Sequence, residues 1–315
     1  MKKETLALSY GLTAVLLWST VASAFKIGLS LTSVILLVTG ACFFSLVVLA
    51  GVLLFRKELS SAIYSLWQNR YVSIKLGMLN PVLYYLILFE AYDRLPAQIA
   101  QPINYTWAIV LGLLAVPFLG RKITRWDILG MFVAYGGVFL ISMAGKGLPG
   151  GVDSIGVLLA LVSTVVWAAY WLFNIKDKRS PVLALFQNFF YALPVLMVIA
   201  YLSDTSLSSI HPSFNILASM AYIGLFEMGF TFILWQSALQ TTEYTSRISS
   251  LIFLSPFVSL FIINQVLGEP LQSLTFVGLG VIVIGLALQR VGKTAVVVKD
   301  ASADSVGITA EKNNA

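Results

Sequence analysis

Ten apolar stretches of bilayer-spanning length occupy almost the whole chain between Leu6 and Leu288: residues 6–25, 34–55, 72–91, 98–119, 126–143, 156–175, 182–201, 216–239, 244–267 and 274–288. A helix that crosses the hydrocarbon needs about 20 mostly apolar residues. Backbone placed there must satisfy its own hydrogen bonds, which favours helices. The pattern therefore predicts an all-α membrane protein of ten transmembrane helices. Composition points the same way. With 58% hydrophobic and 11% charged residues among 315, and a mean hydropathy of +0.89, too little polar surface exists to clothe a water-soluble globule.

The net charge of +6 does not indicate nucleic acid, because no basic stripe interleaves with aromatics and the charges fall in loops. If ten helices alternate from a cytoplasmic N-terminus, all of the 20 Lys and Arg residues except Lys26, Arg94 and Lys146 fall on the cytoplasmic side. That asymmetry predicts that both termini are cytoplasmic. A single cysteine, Cys42, excludes an intrachain disulfide. Lys2 and Lys3, an apolar run and then Ala22, Ser23 and Ala24 imitate a cleaved signal peptide. The run is read as retained, since its Trp18 recurs in a later stretch and removing it would reverse the charge bias. Val291 to Ala315 is polar and reads as a disordered cytoplasmic tail.

The two halves are weakly self-similar. Leu16, Leu17, Trp18, Ser19 parallels Val165, Val166, Trp167, Ala168. Phe89, Glu90, Ala91 parallels Trp235, Gln236, Ser237, and Gly130 and Gly137 parallel Gly278 and Gly285. The offsets are nearly equal and divide the chain into five-helix units at 1–145 and 150–290, followed by the tail 291–315. Five is odd, so the second unit enters the membrane inverted. Inverted repeats suit a machine that rocks between two open states, which argues for moving a solute.

With these residues in view, the chain resembles the drug/metabolite transporter superfamily, EamA type, over residues 1–290. The resemblance rests on the paired Trp18 and Trp167, on Leu95, Pro96, Ala97, and on Ser249, Ser250, Leu251 with Ser255 and Pro256. Gly268 and Glu269 followed by Gly278, Gly280 and Gly285 extend it. It implies ten helices around a central cavity, with the fifth and tenth outside it, and export of amino acids, amines or other small metabolites. Two positions depart from the pattern. Arg121 and Lys122 stand where the first repeat often has an acidic residue, and Glu227 occupies a place usually uncharged.

Glu227 is the one acidic residue near mid-span; Glu90 lies about a turn from the outer end of the third stretch. A charge at a helix centre costs about 2.5–3.5 kcal/mol to insert, so Glu227 needs a partner, water or a proton. It is the first candidate for proton coupling or for pairing with a cationic substrate, and Glu90 is the second. The alternative for Glu227 is a neutral side chain hydrogen-bonded in the core. Helical spacing puts Glu227, Thr231 and Trp235 on one face. Trp167, Tyr170, Trp171 and Asn174 form a stripe, Asn80 and Tyr84 are four apart, and Gln98, Gln101, Asn104, Tyr105 and Trp107 cluster around Pro102. With Trp18 these side chains are the expected substrate pathway, although Trp and Tyr near helix ends also form interfacial belts. Pro102 and Pro256 are hinge candidates, or packing kinks. The glycines of the fifth and tenth stretches read as close helix contacts, or as the seam of a homodimer. Arg247 and Glu243 are spaced as an interfacial ion pair, the favoured reading, with an inner gate at Arg247 the alternative.

One histidine, His211, cannot assemble a metal site, and no cofactor motif or nucleotide-binding loop is present. The expected function is an inner-membrane secondary transporter, not an enzyme, that exports a small amino-acid-like or amine metabolite by alternating access. Its partners would be that solute, protons and lipid. Uptake or facilitated diffusion of a similar solute is the alternative within transport, and a membrane enzyme or scaffold the alternative outside it. The charge bias makes a direct prediction. Reporters fused after Lys146 and Ser208 will report the periplasm, and those after Arg179 and Arg290 the cytoplasm; a cytoplasmic signal at Lys146 would sink the inverted repeat.

Overall fold

The computed structural model describes residues 2–119, 125–144, 152–174, 176–203, 213–242, 248 and 251–288. The tail 291–315, the linker around Lys146, Arg121 and Lys122, His211, Glu243 and Arg247, and Ser249 and Ser250 lie outside them. The first half runs α1 (Lys2–Leu31), α2 (Val34–Phe55), α3 (Leu59–Tyr64), α4 (Arg70–Gly77), α5 (Tyr84–Arg94), α6 (Ala97–Asn104), α7 (Trp107–Leu119) and α8 (Arg125–Ala144). The second runs α9 (Ser154–Asn174), α10 (Pro181–Leu202), α11 (Phe214–Phe226), α12 (Phe230–Thr241), α13 (Ser255–Leu267) and α14 (Ser273–Leu288). No strand occurs among the described residues. Six helical stretches, Lys3–Leu31, Val34–Phe55, Arg70–Arg94, Ser154–Asn174, Pro181–Leu202 and Phe214–Ala238, are long and apolar enough to cross a membrane. Ile128–Ile141, Ser255–Leu267 and Ser273–Leu288 are shorter apolar helices.

Many large apolar side chains face outward. Leu16, Phe132, Phe139, Met197 and Ile284 are all more than half exposed or close to it, while Leu37, Leu49, Tyr85 and Phe189 are fully buried. A soluble monomer rarely shows so much contiguous apolar surface, whereas lipid solvates it. The molecule is a multi-pass membrane protein.

Segments that the sequence presents as single helices are broken in the structure. The third is interrupted at Met78–Leu83, where Asn80 is extended at φ −143° and ψ 115°. The cause is local. Pro81 lacks a backbone donor and clashes with the helical position of the residue four before it, and the residue preceding a proline is driven toward extended geometry. The eighth is interrupted between α11 and α12, at Glu227, Met228 and Gly229. Pro102 lies inside α6, two residues before that helix ends. Pro256 sits in the first turn of α13, after a 3-10 turn at Ile252–Leu254. The change from 3-10 to α geometry thus falls just before this proline.

Helix packing comes in matched pairs. α1 lies against α12 as α9 lies against α5; α1 lies against α13 as α9 lies against α7; α2 lies against α11 as α10 lies against α4. Two of these seams are closed by glycine. A Cβ on Gly77 of α4 would fall 2.4 Å from the Asn188 carbonyl of α10, and one on Gly224 of α11 would fall 2.5 Å from the Ala41 carbonyl of α2. Both the glycines and the carbonyls that they meet are separated by 147 residues, 77 to 224 and 41 to 188.

The seam between α8 and α14 is reciprocal as well. A Cβ on Gly137 would lie 2.5 Å from the Gly278 carbonyl, one on Gly278 would lie 2.7 Å from the Gly137 carbonyl, and one on Gly285 would lie 2.5 Å from the Gly130 carbonyl. The spaced glycines thus serve a contact within one chain, and a dimer is not needed to explain them. Where α9 begins, Asp153 accepts the backbone N–H groups of Ile155 and Gly156. The Ile155 bond above all, then Gly156 and Arg94, holds its carboxyl below the usual value. Its favourable capping is therefore present at neutral pH and fades only as pH falls through that lowered value.

Gly137→Ala and Gly224→Ala will each lower stability by about 1–3 kcal/mol, the usual cost of overpacking. Gly51→Ala, where a Cβ meets nothing within 4 Å, will be near neutral. Thermal unfolding of the detergent-solubilised protein measures the difference.

Candidate functional site

The two helix breaks lie at corresponding places in the halves, Asn80 and Glu227 being again 147 residues apart. Discontinuous helices at corresponding positions of two repeats are where transporters bind solutes, because backbone can leave the helix only where protein or cavity water supports it. A cavity of about 330 Å³ is lined by Glu227 of the second break and by Tyr84, which follows the first. It is walled by side chains of α1, α5, α6, α7, α9 and α12 together with Tyr105, Glu227 and Ile252. Among the described residues, none of α8 or α14 lines it.

Of the residues expected on the pathway, Trp18, Tyr84, Gln101, Asn104, Tyr105, Trp167, Trp171, Glu227 and Trp235 line this cavity. The aromatic wall is continuous: Tyr84 stacks on Trp167 at 4.3 Å, Trp167 meets Trp171 edge-on at 5.9 Å, and Trp18 contacts Phe232 and Trp235 at 5.6 and 5.5 Å. Several polar groups of the wall are anchored, while Gln101 Oε1 and Trp171 Nε1 have no partner among the described residues. The Tyr84 hydroxyl donates to Asn104 Oδ1 at 3.2 Å, Asn104 Nδ2 donates to Ser163 Oγ at 2.9 Å, and the Tyr105 hydroxyl donates to Ser255 Oγ at 2.8 Å. Fixed rings and amides make a preformed site.

Among the described residues Glu227 is the sole carboxyl of the lining, and no Lys, Arg or His joins it. Its Oε1 accepts the Tyr85 hydroxyl at 3.0 Å. Tyr85 is fully buried and escaped sequence reasoning, as did the lining residues Phe25, Tyr92 and Phe232. A tyrosine 142 positions away has no spacing relation to Glu227. The paired aromatic and amide positions were visible because they recur at helical intervals.

Other expected pathway residues lie elsewhere. Thr231 does not share a helical face with Glu227, because the chain leaves the helix between them. Its buried hydroxyl donates to the Phe226 carbonyl and so repairs the interrupted turn. Asn80 is buried at the other break, away from the cavity wall. Tyr170 and Asn174 line a smaller pocket with Asp177, Arg179 and Gln236, which shares Trp171 and Phe232 with the main cavity. Gln98 is structural: its Nε2 donates to the Pro270 carbonyl at 2.9 Å. Glu90 pairs with Arg94 at 2.8 Å and borders a peripheral groove.

Each end of the bundle is tied by a charged side chain. At one, the Glu269 carboxylate accepts the backbone N–H groups of Ala97 and Gln98 at 3.0 and 3.2 Å, capping the first turn of α6, and Lys26 donates to the Tyr92 and Leu95 carbonyls. Leu95, Pro96 and Ala97 thus matter as the chain that delivers α6 to this cap. At the other end, Arg179 pairs with Asp177 at 2.6 Å and donates to Ser73 Oγ, Gln187 Oε1 and Asn188 Oδ1. A buried ion pair is tolerable only when its remaining groups are bonded in this way. Among the described residues no cluster of His, Cys, Asp or Glu could hold a metal ion.

The family model described as "EamA-like transporter family" matches the chain twice, over residues 5–143 and 154–290. An uncharacterized transporter of Archaeoglobus fulgidus is 28% identical over 222 residues, covering 70% of this chain and 77% of that protein. An uncharacterized transporter of Bacillus subtilis, YvbV, is 27% identical over 214 residues, 67% of this chain and 69% of its own. One crystal structure superposes with a TM-score of 0.65 at 19% identity, over 92% of this chain and 98% of that one. That likeness concerns the fold alone.

Glu269→Ala removes both capping bonds of α6 and will cost about 0.5–2 kcal/mol, as lost helix caps do. Glu269→Gln, which keeps an acceptor oxygen, will cost less, and thermal unfolding in detergent will rank the two.

Proposed function

The chain belongs to the EamA-like transporter family, and we propose that it is a secondary transporter of a bacterial inner membrane that exports a small amino-acid-like or amine metabolite by alternating access. The observation that carries this reading is the aromatic cavity lined by Glu227 of one helix break and by Tyr84 just after the other, the two breaks lying at corresponding positions of the halves. Residues 1–145 and 150–290 act as the two inverted five-helix units, giving ten crossings with both termini cytoplasmic. The matched helix seams and the 147-residue spacing of their glycines support this, since an in-plane two-fold axis turns each seam into its partner. The double family match supports it too.

In the mechanism, the solute sits among Trp18, Tyr84, Trp167 and Trp235 with Glu227 at its polar end. Rocking of one unit against the other opens the cavity to each side in turn. The cap of Glu269 on α6 fastens the outer end. Release of that contact, and closure at the Arg179 end, would accompany the opposite state. Glu227 either carries a proton or pairs with a cationic solute, and the tyrosines around it, Tyr84, Tyr85, Tyr92 and Tyr105, supply hydroxyls but no competing carboxylate. A catalytic reading has no support among the described residues, where no nucleophile–base pair is assembled in the cavity.

Comparison of metabolites inside and outside cells that overproduce or lack the protein will identify both the solute and the direction. Trp167→Ala will slow export at least about tenfold at normal membrane abundance, the effect of losing an aromatic anchor. Glu227→Gln keeps the shape and the Tyr85 bond but cannot titrate. In reconstituted vesicles it will remove the response to an imposed pH gradient or weaken binding of a cationic solute, and Glu90→Gln will be milder. Full gradient-driven transport with unchanged affinity in Glu227→Gln would make this carboxyl a satisfied core group.

A further inference from the structure

A separate groove, of about 510 Å³, opens at the Arg179 end of the bundle, between α4 and the turn that joins α9 to α10. Its walls come from both halves of the chain: Asn69, Val72, Lys75 and Leu76 on one side, Phe173 and residues 176–179 on the other. The charge of these walls is one-sided. Asp177, the one carboxylate of the lining among the described residues, is taken by Arg179, whose Nε and Nη2 donate to it at 2.6–3.1 Å. Lys75, Lys176 and Lys178 are exposed and form no ion pair among the described residues. The Lys75 ammonium lies 3.4 Å from the centre of the Phe173 ring, a contact that spans the groove. Three cations around one groove repel each other, and an anion between them relieves that repulsion.

We propose that this groove seats the headgroup of an anionic phospholipid, with the phosphate among Lys75, Lys176 and Lys178. The depth of the groove in the bilayer favours lipid over a dissolved anion. Tyr64, Trp67 and Tyr71, on the chain that leads into and begins α4, are each more than 70% exposed. Arg70 lies over the Trp67 and Tyr71 rings at 4.1 and 4.4 Å. Exposed Trp and Tyr beside a basic residue mark the level of the headgroups, and Val72, 48% exposed, belongs both to this outward surface and to the groove wall. The lysine ammonium groups donate to phosphate oxygens, while Val72, Leu76 and Phe173 offer apolar surface to the glycerol backbone. Basic pockets between membrane helices hold anionic headgroups in this way. A choline headgroup brings a cation of its own among the lysines and gains less.

The full chain, stripped of lipid in a neutral detergent, is offered dioleoylphosphatidylglycerol and dioleoylphosphatidylcholine at equal concentration, and native mass spectrometry counts each bound lipid. Phosphatidylglycerol is expected to bind at least about tenfold more tightly, since each lysine beside an anionic headgroup contributes about fivefold. Lys75→Gln, Lys176→Gln and Lys178→Gln together will bring the two lipids to within about twofold. Lys3→Gln, Arg56→Gln and Lys57→Gln together remove the same charge from residues outside the groove and will leave the preference intact. So will replacement of the three groove lysines by arginine. Should the triple glutamine variant fail to fold, Lys176→Gln and Lys178→Gln singly, in the exposed turn, will each narrow the preference at unchanged thermal unfolding. A large excess of glycerol 3-phosphate or inorganic phosphate will not displace the bound phosphatidylglycerol.

Equal binding of the two lipids by the parent chain would overturn the proposal. An equal loss of preference in the variant altered outside the groove would show diffuse attraction to net charge and no site. Loss of the preference in the arginine variant, or a preference that no glutamine variant moves, would remove the lysines from the account. Displacement by either dissolved phosphate would assign the groove to a free anion and overturn the assignment to lipid.

Discussion

In hydrocarbon, a backbone that leaves the helix must find its hydrogen bonds elsewhere, and the rest of this molecule is arranged around that constraint. The breaks at Asn80 and Glu227 are admissible because they are enclosed: α4 and α11 are pressed against α10 and α2 until glycine alone fits, and Thr231 returns a donor to the Phe226 carbonyl. Unwound backbone surrounded by packed helices opens a polar locus at a depth where lipid tolerates none. The cavity follows from the breaks, and the breaks are possible only because of the seams that hold them.

The same economy governs charge. Three ionic side chains at the bundle ends are answered: Arg179 by Asp177 and three neutral acceptors, Glu269 by two backbone amides, Lys26 by two carbonyls. Against this background Glu227 stands apart as a carboxyl of the cavity wall with a single phenolic donor.

Much of this was legible in the sequence. Apolar length marked the membrane segments, and the recurrence of Trp18 as Trp167 marked two residues of the cavity wall. Glu227 stood out because a mid-span carboxylate is expensive. What escaped was everything that depends on interruption. Arithmetic along a continuous helix placed Thr231 beside Glu227, but the chain unwinds between them, and the same arithmetic put Gln98 on the pathway, although it serves the Glu269 cap. Pro102 and Pro256 were visible as breakers, yet the deeper break fell at Asn80 and Pro81, where geometry before a proline outweighs apolar periodicity. Contacts such as Tyr85 with Glu227 join segments with no register in common, so no spacing rule finds them.

The glycine seams also limit how this chain can vary. Where one side chain crowds another, a smaller residue on the partner relieves the clash, and the two positions can drift together. At Gly77, Gly224, Gly137 and Gly278 the obstacle is a main-chain carbonyl, which every amino acid possesses. No exchange on the facing helix can make room, so these positions lack second-site suppressors of the side-chain kind, and each half of the molecule constrains the other through atoms that mutation cannot remove.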